Sequence, residues 1–361
     1  MATLEAVDVA TAAVPSNLTR EDVLQNIVDI SELPLPLTGM IGRESHTNAF
    51  FEWPADRLAA PAANRVIDGS ASTTPDSDPA VRLGNHSQIA QKTVGTSTRL
   101  ESSKNIGNEG IARQLAKKTK ELWRDIEFMM LENNANVLDT GTGGVAGETA
   151  GLEAWIDDET VIAVTKSPQC FVDLSTGGIT IGGWTNRTGA IIPAVTYTAV
   201  TDHEPLTFDS VKDVLDALYQ LGANPTKLMA RPAVIRLLST FFFGSTAPIS
   251  TLQRDKGETG PAQAQSSVNS LVSDYGIIVD LIPNRIQPPS GDGTPVCDTV
   301  FIFDPDFLAL SFMGGGIKVK ELPADGLFRK IQVHADHGLR VDNPDSLGAI
   351  FGVANDEAVT A

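Results

Sequence analysis

The sequence has only two cysteines, 6% aromatic residues and no long hydrophobic run. Cys170 and Cys297 are too few for a disulfide framework or a thiolate-only metal site, so we expect two free, packed thiols in a reducing compartment. The apolar runs fall far short of the roughly 20 residues that span a membrane. The first residues lack the basic head and apolar core of a signal peptide. The sequence therefore predicts neither a membrane protein nor a secreted one.

Basic residues are also scarce, with 27 Lys and Arg against 45 Asp and Glu and a net charge of -18. Binding to phosphates depends on Lys and Arg displacing counterions, and no basic tract stands out. The sequence thus argues against direct recognition of nucleic acid. Such an acidic surface keeps subunits soluble, and identical copies repel one another unless contacts or cations offset the charge.

Residues 1–42 have the pattern of an extended arm rather than a domain. Leu18 to Ile30 could hold a short helix capped by Thr19. In the following segment, LPLPL at positions 33–37, each proline restricts its own φ and moves the preceding residue out of the α region. We therefore expect an extended backbone there, with leucines that a neighbouring surface must cover.

Residues 43–104 have the pattern of a long two-stranded excursion. One strand includes Asn48–Trp53 and the return strand includes His86–Thr98, where β-branched residues alternate with polar ones. Between them, residues 58–81 are rich in Ala, Ser, Thr, Pro and Asp, which predicts a flexible tip. A polar hairpin of this kind cannot bury enough apolar area to be stable alone, so we expect it to rest on another surface.

Residues 108–135 give the strongest helical signal. Asn108 can cap the start, and nothing breaks the run before Asn133. Apolar side chains at spacings of three and four form one stripe. The members of this stripe proposed as helix core are Ile111, Leu115, Leu122, Ile126 and Met129. A helix of this length is longer than most helices of globular proteins and would be a rigid structural element.

The rest of the chain mixes short helices and strands. Helices are predicted from Thr207 to Leu221, ended by Gly222, and after Pro232. The predicted strands are Tyr275–Ile282, Thr299–Phe303, Phe307–Phe312, Gly316–Leu322 and Lys330–His334. The fold class is therefore α+β.

Several motifs stand out over roughly residues 40–155 and 270–352. The most specific is the helical segment QLAKKTKELWRDIE at 114–127. The others are Trp53-x-x-Asp56, Asn85-x-x-Gln88-Ile89, Ala150-Gly151-Leu152-x-x-Trp155, Phe303-Asp-Pro-Asp306, Leu322-Pro-Ala-Asp-Gly326 and Val341-x-Asn343-Pro-x-x-Leu-Gly348. Together these motifs resemble those of the major capsid proteins of tailed bacteriophages. The sequence departs from the family at Ala335-Asp-His-Gly338, which replaces a more acidic, β-branched strand.

The resemblance implies the Johnson fold of these capsid proteins. Its parts would be an N-terminal arm (1–42), an E-loop (43–104), a P-domain (105–205) with a spine helix at 108–135, an A-domain (206–316) and C-terminal strands (317–361) that return to the P-domain. The resemblance also implies that arm and E-loop lie across neighbouring subunits. The interface candidates are Leu35, Leu37, Phe50, Phe51, Trp53, Asp56, Arg57, Arg65 and Arg82. Large aromatic residues carry much of the energy of an interface, whereas the three arginines could equally be solvated loop charges.

The implied function is structural. Copies of the chain would assemble into hexamers and pentamers of an icosahedral head that encloses double-stranded DNA without sequence-specific binding. The partners would be the chain itself, a portal, and scaffolding or decoration proteins, with synthesis in the cytoplasm of the host bacterium and a final place in the virion. Two alternatives stay open: an encapsulin-like bacterial compartment shell, and a cytoplasmic α/β enzyme that would form a small oligomer.

Three motifs suggest binding chemistry that the context does not favour, so we expect no cofactor, no metal and no catalytic residue. The segment GTGGVA at 141–146 fits a loose G-x-G-x-x-A motif for dinucleotide binding. That motif requires a strand before the glycines, and here a long predicted helix precedes them. His334 and His337 are three apart on a predicted strand, which points them to opposite faces. Asp304 and Asp306 flank a proline, a pattern more typical of a strand end than of a calcium site.

Some relatives join subunits by a lysine–asparagine isopeptide bond from the E-loop. Residues 48–91 contain no lysine, so we predict shells held together without covalent links. Boiling assembled material in SDS should return one band near the monomer mass of 38.3 kDa. A ladder of heavier bands would contradict this prediction.

Overall fold

The computed structural model describes residues 35–56, 63–71, 81–102, 110–141, 143–156, 170–173, 178–180, 206–243, 252–253, 263–264, 268–289 and 297–354. Their helices are α1 (Pro36–Met40), α2 (Thr98–Ser102), α3 (Ile111–Leu131), α4 (Leu152–Ile156), α5 (Phe208–Gln220) and α6 (Pro232–Phe243). The strands are β1 (Gly42–His46), β2 (Phe50–Ala55), β3 (Val81–His86), β4 (Gln88–Ser97), β5 (Cys170–Asp173), β6 (Gly178–Thr180), β7 (Lys227–Ala230), β8 (Leu252–Gln253), β9 (Gln263–Ala264), β10 (Ser270–Val272), β11 (Ile278–Pro283), β12 (Cys297–Phe303), β13 (Leu308–Met313), β14 (Lys318–Asp325), β15 (Phe328–Val341) and β16 (Leu347–Ala354).

The strands form two main sheets. The larger has seven strands in the order β10-β11-β7-β12-β16-β5-β6, with parallel pairs β11–β7 and β16–β5. The other has the order β1-β13-β15-β14, and β4 also pairs with β15. Helices and strands are thus combined in mixed sheets, as the predicted α+β class requires.

The described residues divide into two compact units. The first comprises 92–102, 110–120 and 319–333, and the second comprises the remaining described residues. In the first unit, the Thr98 N–H donates to the carbonyl oxygen of Leu327 at 3.0 Å. The turn between β14 and β15 contains Gly326 at φ 64°, a conformation that glycine adopts at no steric cost.

The core of the seven-stranded sheet lies under α5 and α6. Val211, Val214 and Leu218 of α5 pack with Leu238 of α6 and with side chains from one face of the sheet. The helix α5 begins where the sequence predicts, because the Thr207 side chain accepts a hydrogen bond from the Ser210 N–H. The sequence predicted this start and the end at Gly222, whereas the capping role of Thr207 comes from the structure.

The long helix α3 is shorter than predicted, with 21 residues and a length of about 32 Å. Leu122 and Ile126 are fully buried, whereas Ile111, Leu115 and Met129 are half-buried. The helix ends at Leu131, before Asn133, and the proposed cap Asn108 lies outside the described residues.

The expected extended segment at 33–37 is wrong where the structure describes it. Pro36 begins the short helix α1 instead. Proline disrupts the interior of a helix but is favoured at the first helical position. At that position the backbone N–H has no partner within the helix, and the φ of proline is already helical. The proposed helix at 18–30 lies outside the described residues.

The expected two-stranded excursion is also corrected. Residues 42–46 do not leave the body but pair in parallel with Ala309–Met313 of β13. β2 pairs with β3 in the register Phe50↔His86 to Ala55↔Val81, so the strand that completes the hairpin precedes the predicted return strand and shares only His86 with it. The rest of the predicted return strand is β4 (Gln88–Ser97), which pairs with β15 instead of with β2.

One buried carboxylate holds α1, α3 and the end of β11 together. Glu127 of α3 is fully buried and accepts from the backbone N–H groups of Leu37 and Thr38, both at 2.8 Å. The side-chain amide of Asn284 donates to the same carboxylate at 3.0 Å. Charged acceptors form stronger hydrogen bonds than neutral ones, so this contact fixes the start of α1 on the long helix.

We predict that Glu127→Ala lowers the free energy of unfolding by about 3 kcal/mol or more, because it leaves three buried donors without an acceptor. Urea unfolding of unassembled subunits measures the loss. Glu321→Ala is the matched control, since Glu321 forms an exposed pair with Arg329 and such pairs contribute at most about 1 kcal/mol. Equal losses in the two variants would contradict the assignment.

Candidate functional site

The root of the β2–β3 hairpin is buried by its own chain. Phe51 and Trp53 are almost fully buried, and the Trp53 indole N–H donates to the carbonyl oxygen of Val341 at 2.9 Å. The ring of Trp53 lies 5.6 Å from Phe51 and 5.8 Å from Trp155 between centroids. The hairpin therefore leaves the subunit from a rigid aromatic base.

This burial corrects the role expected of several interface candidates. Leu37, Phe51 and Trp53 are covered within the subunit and offer no free apolar surface to a neighbour. Leu35 and Phe50 are half-buried, and the Phe50 ring lies 4.7 Å from His86. Sequence alone could not separate the two cases, because an aromatic residue in a hairpin has the same pattern whichever surface covers it.

Gly338 of β15 leaves room for the ring of Phe51. A Cβ atom at this position would lie 2.5 Å from Cε1 and 2.7 Å from Cζ of Phe51. A β-branched residue would therefore displace the phenyl ring from the base of the hairpin. The missing side chain of Gly338 makes the space that Phe51 fills.

Asn85 holds the other strand of the hairpin. Its side-chain amide donates to the carbonyl oxygen of Leu339 at 2.8 Å and to the Thr149 hydroxyl at 3.0 Å. Its oxygen accepts from the Ala150 N–H at 3.0 Å. Because Asn85 is fully buried, these bonds satisfy a group that would otherwise cost free energy. The motif residue thus has a structural role in joining the hairpin to the loop after α3.

The tip of the hairpin is open to solvent. Val66 and Ile67 have 67% and 84% of their surface exposed. They precede a turn in which the Ser70 N–H donates to the carbonyl oxygen of Ile67 at 3.0 Å and Gly69 has φ 81°. The tip thus presents two aliphatic side chains that the described residues do not cover.

The charged interface candidates differ in their surroundings. Arg82 forms an ion pair of 2.5 Å with Glu52 across the hairpin, so its charge is already offset within the subunit. Asp56 and Arg65 are exposed, and Arg57 lies outside the described residues. Arg340 pairs with Glu44 and, at 2.6 Å, with Asp342. These pairs surround a shallow cavity of about 350 Å³ beside the hairpin root.

Two histidines lie where β1, β13 and β15 meet. His46 stacks on Phe51 at 4.5 Å, and its Nδ1 lies 2.8 Å from the Ser311 hydroxyl. Burial lowers the pKa of His337 to about 4, and the nearby His46 acts in the same direction. Burial also lowers the pKa of His46, against the opposing effect of Asp336. Both rings are therefore neutral at pH 7.

The motifs with other possible chemistry do not assemble into a site. Among the described residues, no three His, Cys, Asp or Glu side chains are grouped so as to hold a metal ion. Asp304 caps a short 3-10 turn by accepting from the Asp306 N–H. Gly141 and Gly143 have positive φ in a loop that the bridge Val137↔Glu148 closes. No helix in the part of the chain described here is long and apolar enough to cross a membrane.

Comparisons with known proteins identify the family of the chain from its sequence and its fold from solved structures. The family model for the SU10 major capsid protein matches residues 8–354. A major capsid protein of Escherichia phage Phieco32 is 26% identical over 340 residues, which cover 90% of this chain and 92% of that protein. In structure, the chain is similar to the capsid protein of cyanophage A-1(L), with a TM-score of 0.62, 12% identity and coverage of 94% and 98%. It is also similar to the SrpI encapsulin of Synechococcus elongatus PCC 7942, with a TM-score of 0.55, 13% identity and coverage of 100% and 99%.

We predict that acid destabilises the subunit through His337. Its folded pKa of about 4 lies below the ordinary 6.5, so the unfolded chain binds the proton more readily. The stabilisation is complete above pH 6.5 and is lost as the pH falls towards 4, by about 3 kcal/mol at most. Urea unfolding of unassembled subunits at pH 7.5 and pH 4.5 measures it.

The test uses two variants of the same strand. His337→Leu removes the titration and should reduce the acid-dependent loss of stability. His334→Leu should leave it unchanged, since His334 is only half-buried. An unaltered pH dependence in His337→Leu would show that another group causes the loss.

Proposed function

The chain belongs to the SU10 major capsid protein family, and we propose that its copies form the hexamers and pentamers of a phage head that encloses double-stranded DNA. The protein is a structural component of an icosahedral bacteriophage capsid and has the Johnson fold of that class. We propose that it catalyses no reaction and binds DNA without sequence specificity.

The observation that carries the proposed assembly is the contrast between the root and the tip of the hairpin. Trp53 at the root is 4% exposed, whereas Ile67 at the tip is 84% exposed. A rigid base that ends in uncovered aliphatic side chains is suited to contact with another molecule, and a second copy is the partner that a shell supplies. We propose that Val66 and Ile67 pack against a neighbouring subunit. Leu35, Phe50, Asp56, Arg57 and Arg65 remain the other candidates for this interface.

We propose the following division of the chain into the parts of this fold: arm 1–42, E-loop 43–104, P-domain 105–205, A-domain 206–316 and C-terminal strands 317–361. The β2–β3 hairpin supports an E-loop within 43–104, where β1 and β4 at the two ends pair with β13 and β15 instead. The helix α3 supports a spine helix within the P-domain. The helices α5 and α6, with the strands β7, β10, β11 and β12, support the A-domain.

An encapsulin-like compartment shell is the alternative with some structural support, since the encapsulin comparison covers the whole chain. The match of the phage capsid family to residues 8–354 favours the virus. We further propose synthesis in the host bacterial cytoplasm, and partnership with a portal and with scaffolding or decoration proteins.

We predict that Val66→Asp combined with Ile67→Asp prevents shell formation while the subunit stays folded, because two buried carboxylates would be too costly at the interface. Negative-stain electron microscopy scores shells, and thermal unfolding checks the fold. Val66→Leu with Ile67→Leu keeps the apolar surface and should assemble.

Shells from the aspartate variant would refute the contact at the hairpin tip. A wild-type chain that remained a small soluble oligomer under all assembly conditions would instead argue against the proposed assembly itself.

A further inference from the structure

The tip of the hairpin carries two opposite charges beside its aliphatic side chains. Arg65 and Asp68 flank Val66 and Ile67 in the sequence, and all four side chains are exposed. Neither charge has an ion-pair partner among the described residues. Every residue from 63 to 71 is exposed, so the tip is not packed against the described part of its own subunit.

The cavity beside the hairpin root, hereafter the root cavity, lies in the same compact unit as the tip. Its volume of about 350 Å³ is near the lower end of the range of about 300 to 1,000 Å³ for ligand pockets, which is enough for one long side chain. Arg340 in its lining lies over the Trp53 ring at 5.8 Å and donates to Glu44 and Asp342. These contacts hold the charged wall of the cavity in place.

The charges around the root cavity do not cancel. Glu44 and Glu52 line it together with Arg82 and Arg340, and Asp342 also pairs with Arg340. Three carboxylates against two guanidinium groups leave one negative charge in excess, since Arg340 is shared by two acids. The side chains of Glu44 and Glu52 are 42% and 27% exposed, so both remain accessible to a further cation.

We propose that Arg65 of one copy enters the root cavity of a neighbouring copy and pairs there with Glu44 and Glu52, an inference that rests on the proposed function. A guanidinium forms stronger hydrogen bonds to carboxylates than to neutral acceptors, and the excess negative charge of the cavity favours a cation. The proposal assigns the hairpin tip a specific binding surface on the next subunit.

The neighbours of Arg65 in the tip fit the same surface. Asp68 has the opposite charge, and the Arg82 side chain of the cavity is 65% exposed, so it is available to a carboxylate of the incoming tip. Ile67 is apolar, and the half-buried ring of Phe50 also lines the cavity. Charge and apolar surface are therefore complementary between tip and cavity.

A second copy of the chain is the occupant because both halves of the contact belong to this sequence. The tip and the root cavity are different surfaces, so a contact between them joins copies head to tail. Head-to-tail contacts close into rings when the rotation between copies permits, which is the symmetry of the proposed hexamers and pentamers. Acidic copies repel one another, and each ion pair of this kind offsets part of that repulsion.

The experiment reverses one charge on each side of the contact. Arg65→Glu brings a carboxylate to the acidic cavity, and Glu44→Lys brings a cation to Arg65 while Arg340 keeps its bond to Asp342. Each single variant should lower the yield of shells about tenfold or more, because like charges across an interface repel. Arg65→Lys is the matched control, since it keeps the charge and should assemble. Negative-stain electron microscopy counts shells, and thermal unfolding of unassembled subunits verifies the fold.

Combining the two reversals tests whether these charges meet and whether they meet between copies. A chain with both substitutions should regain shells, because its reversed tip faces a cavity of reversed charge. A mixture of the two single variants should form six-membered rings, since every tip in an alternating ring faces a cavity of opposite charge. A five-membered ring cannot alternate, so the mixture should give few closed shells. Native mass spectrometry measures the rings.

Normal shells from Arg65→Glu would refute the contact and leave the proposed function intact. Two defective single variants whose combination and mixture both stay unassembled would also refute it, since Arg65 would then have another partner. If Glu44→Lys does not fold, Glu52→Lys reverses the charge of the same cavity and replaces it in each arm. A wild-type chain that forms no shells refutes the proposed function instead.

Discussion

The buried carboxylate of Glu127 is the constraint on which the subunit's architecture depends. A carboxylate without partners would be expelled from a protein interior, and here three donors from two other segments satisfy it. It fixes the start of α1 to the long helix near its C-terminal end, and through Asn284 it joins the end of β11 to the same point. The direction in which the chain enters β1 follows from this contact. The parallel pairing of β1 with β13 and the position of the hairpin root follow in turn.

The hairpin combines a rigid origin with an uncovered end. Its root is fixed by aromatic packing and by the hydrogen bonds of the Asn85 side-chain amide, and both sets of contacts are internal to the subunit. Flexibility at the root would impose an entropic cost on every contact made at the tip. Because the root is fixed in the core of the subunit, less conformational entropy is lost when Val66 and Ile67 contact another molecule.

The sequence was sufficient for elements whose signal is local. Thr207 and Gly222 bounded α5, the apolar stripe located α3, and continuous apolar runs identified β12 and β13. It failed where the answer depended on distant partners. The prolines at 34 and 36 predict an extended backbone, but Pro36 begins the helix α1. Glu127, which is distant in sequence, accepts hydrogen bonds from the first backbone N–H groups of that helix. His86–Thr98 is predicted as the return strand of the hairpin, but β4 pairs with β15, and the partner of β2 is β3. The burial of Phe51 depends on the absent side chain of Gly338, which no periodicity could reveal.

The bond from Trp53 to Val341 spans 288 residues of sequence. A ribosome adding about 5 to 20 residues per second takes roughly 15 to 60 s to cover that distance. Throughout that interval the nascent chain carries Phe51 and Trp53 without the strand that will bury them. The same long-range closure that makes the finished hairpin rigid therefore gives the growing polypeptide a prolonged aggregation-prone phase, during which chaperones would have to protect it.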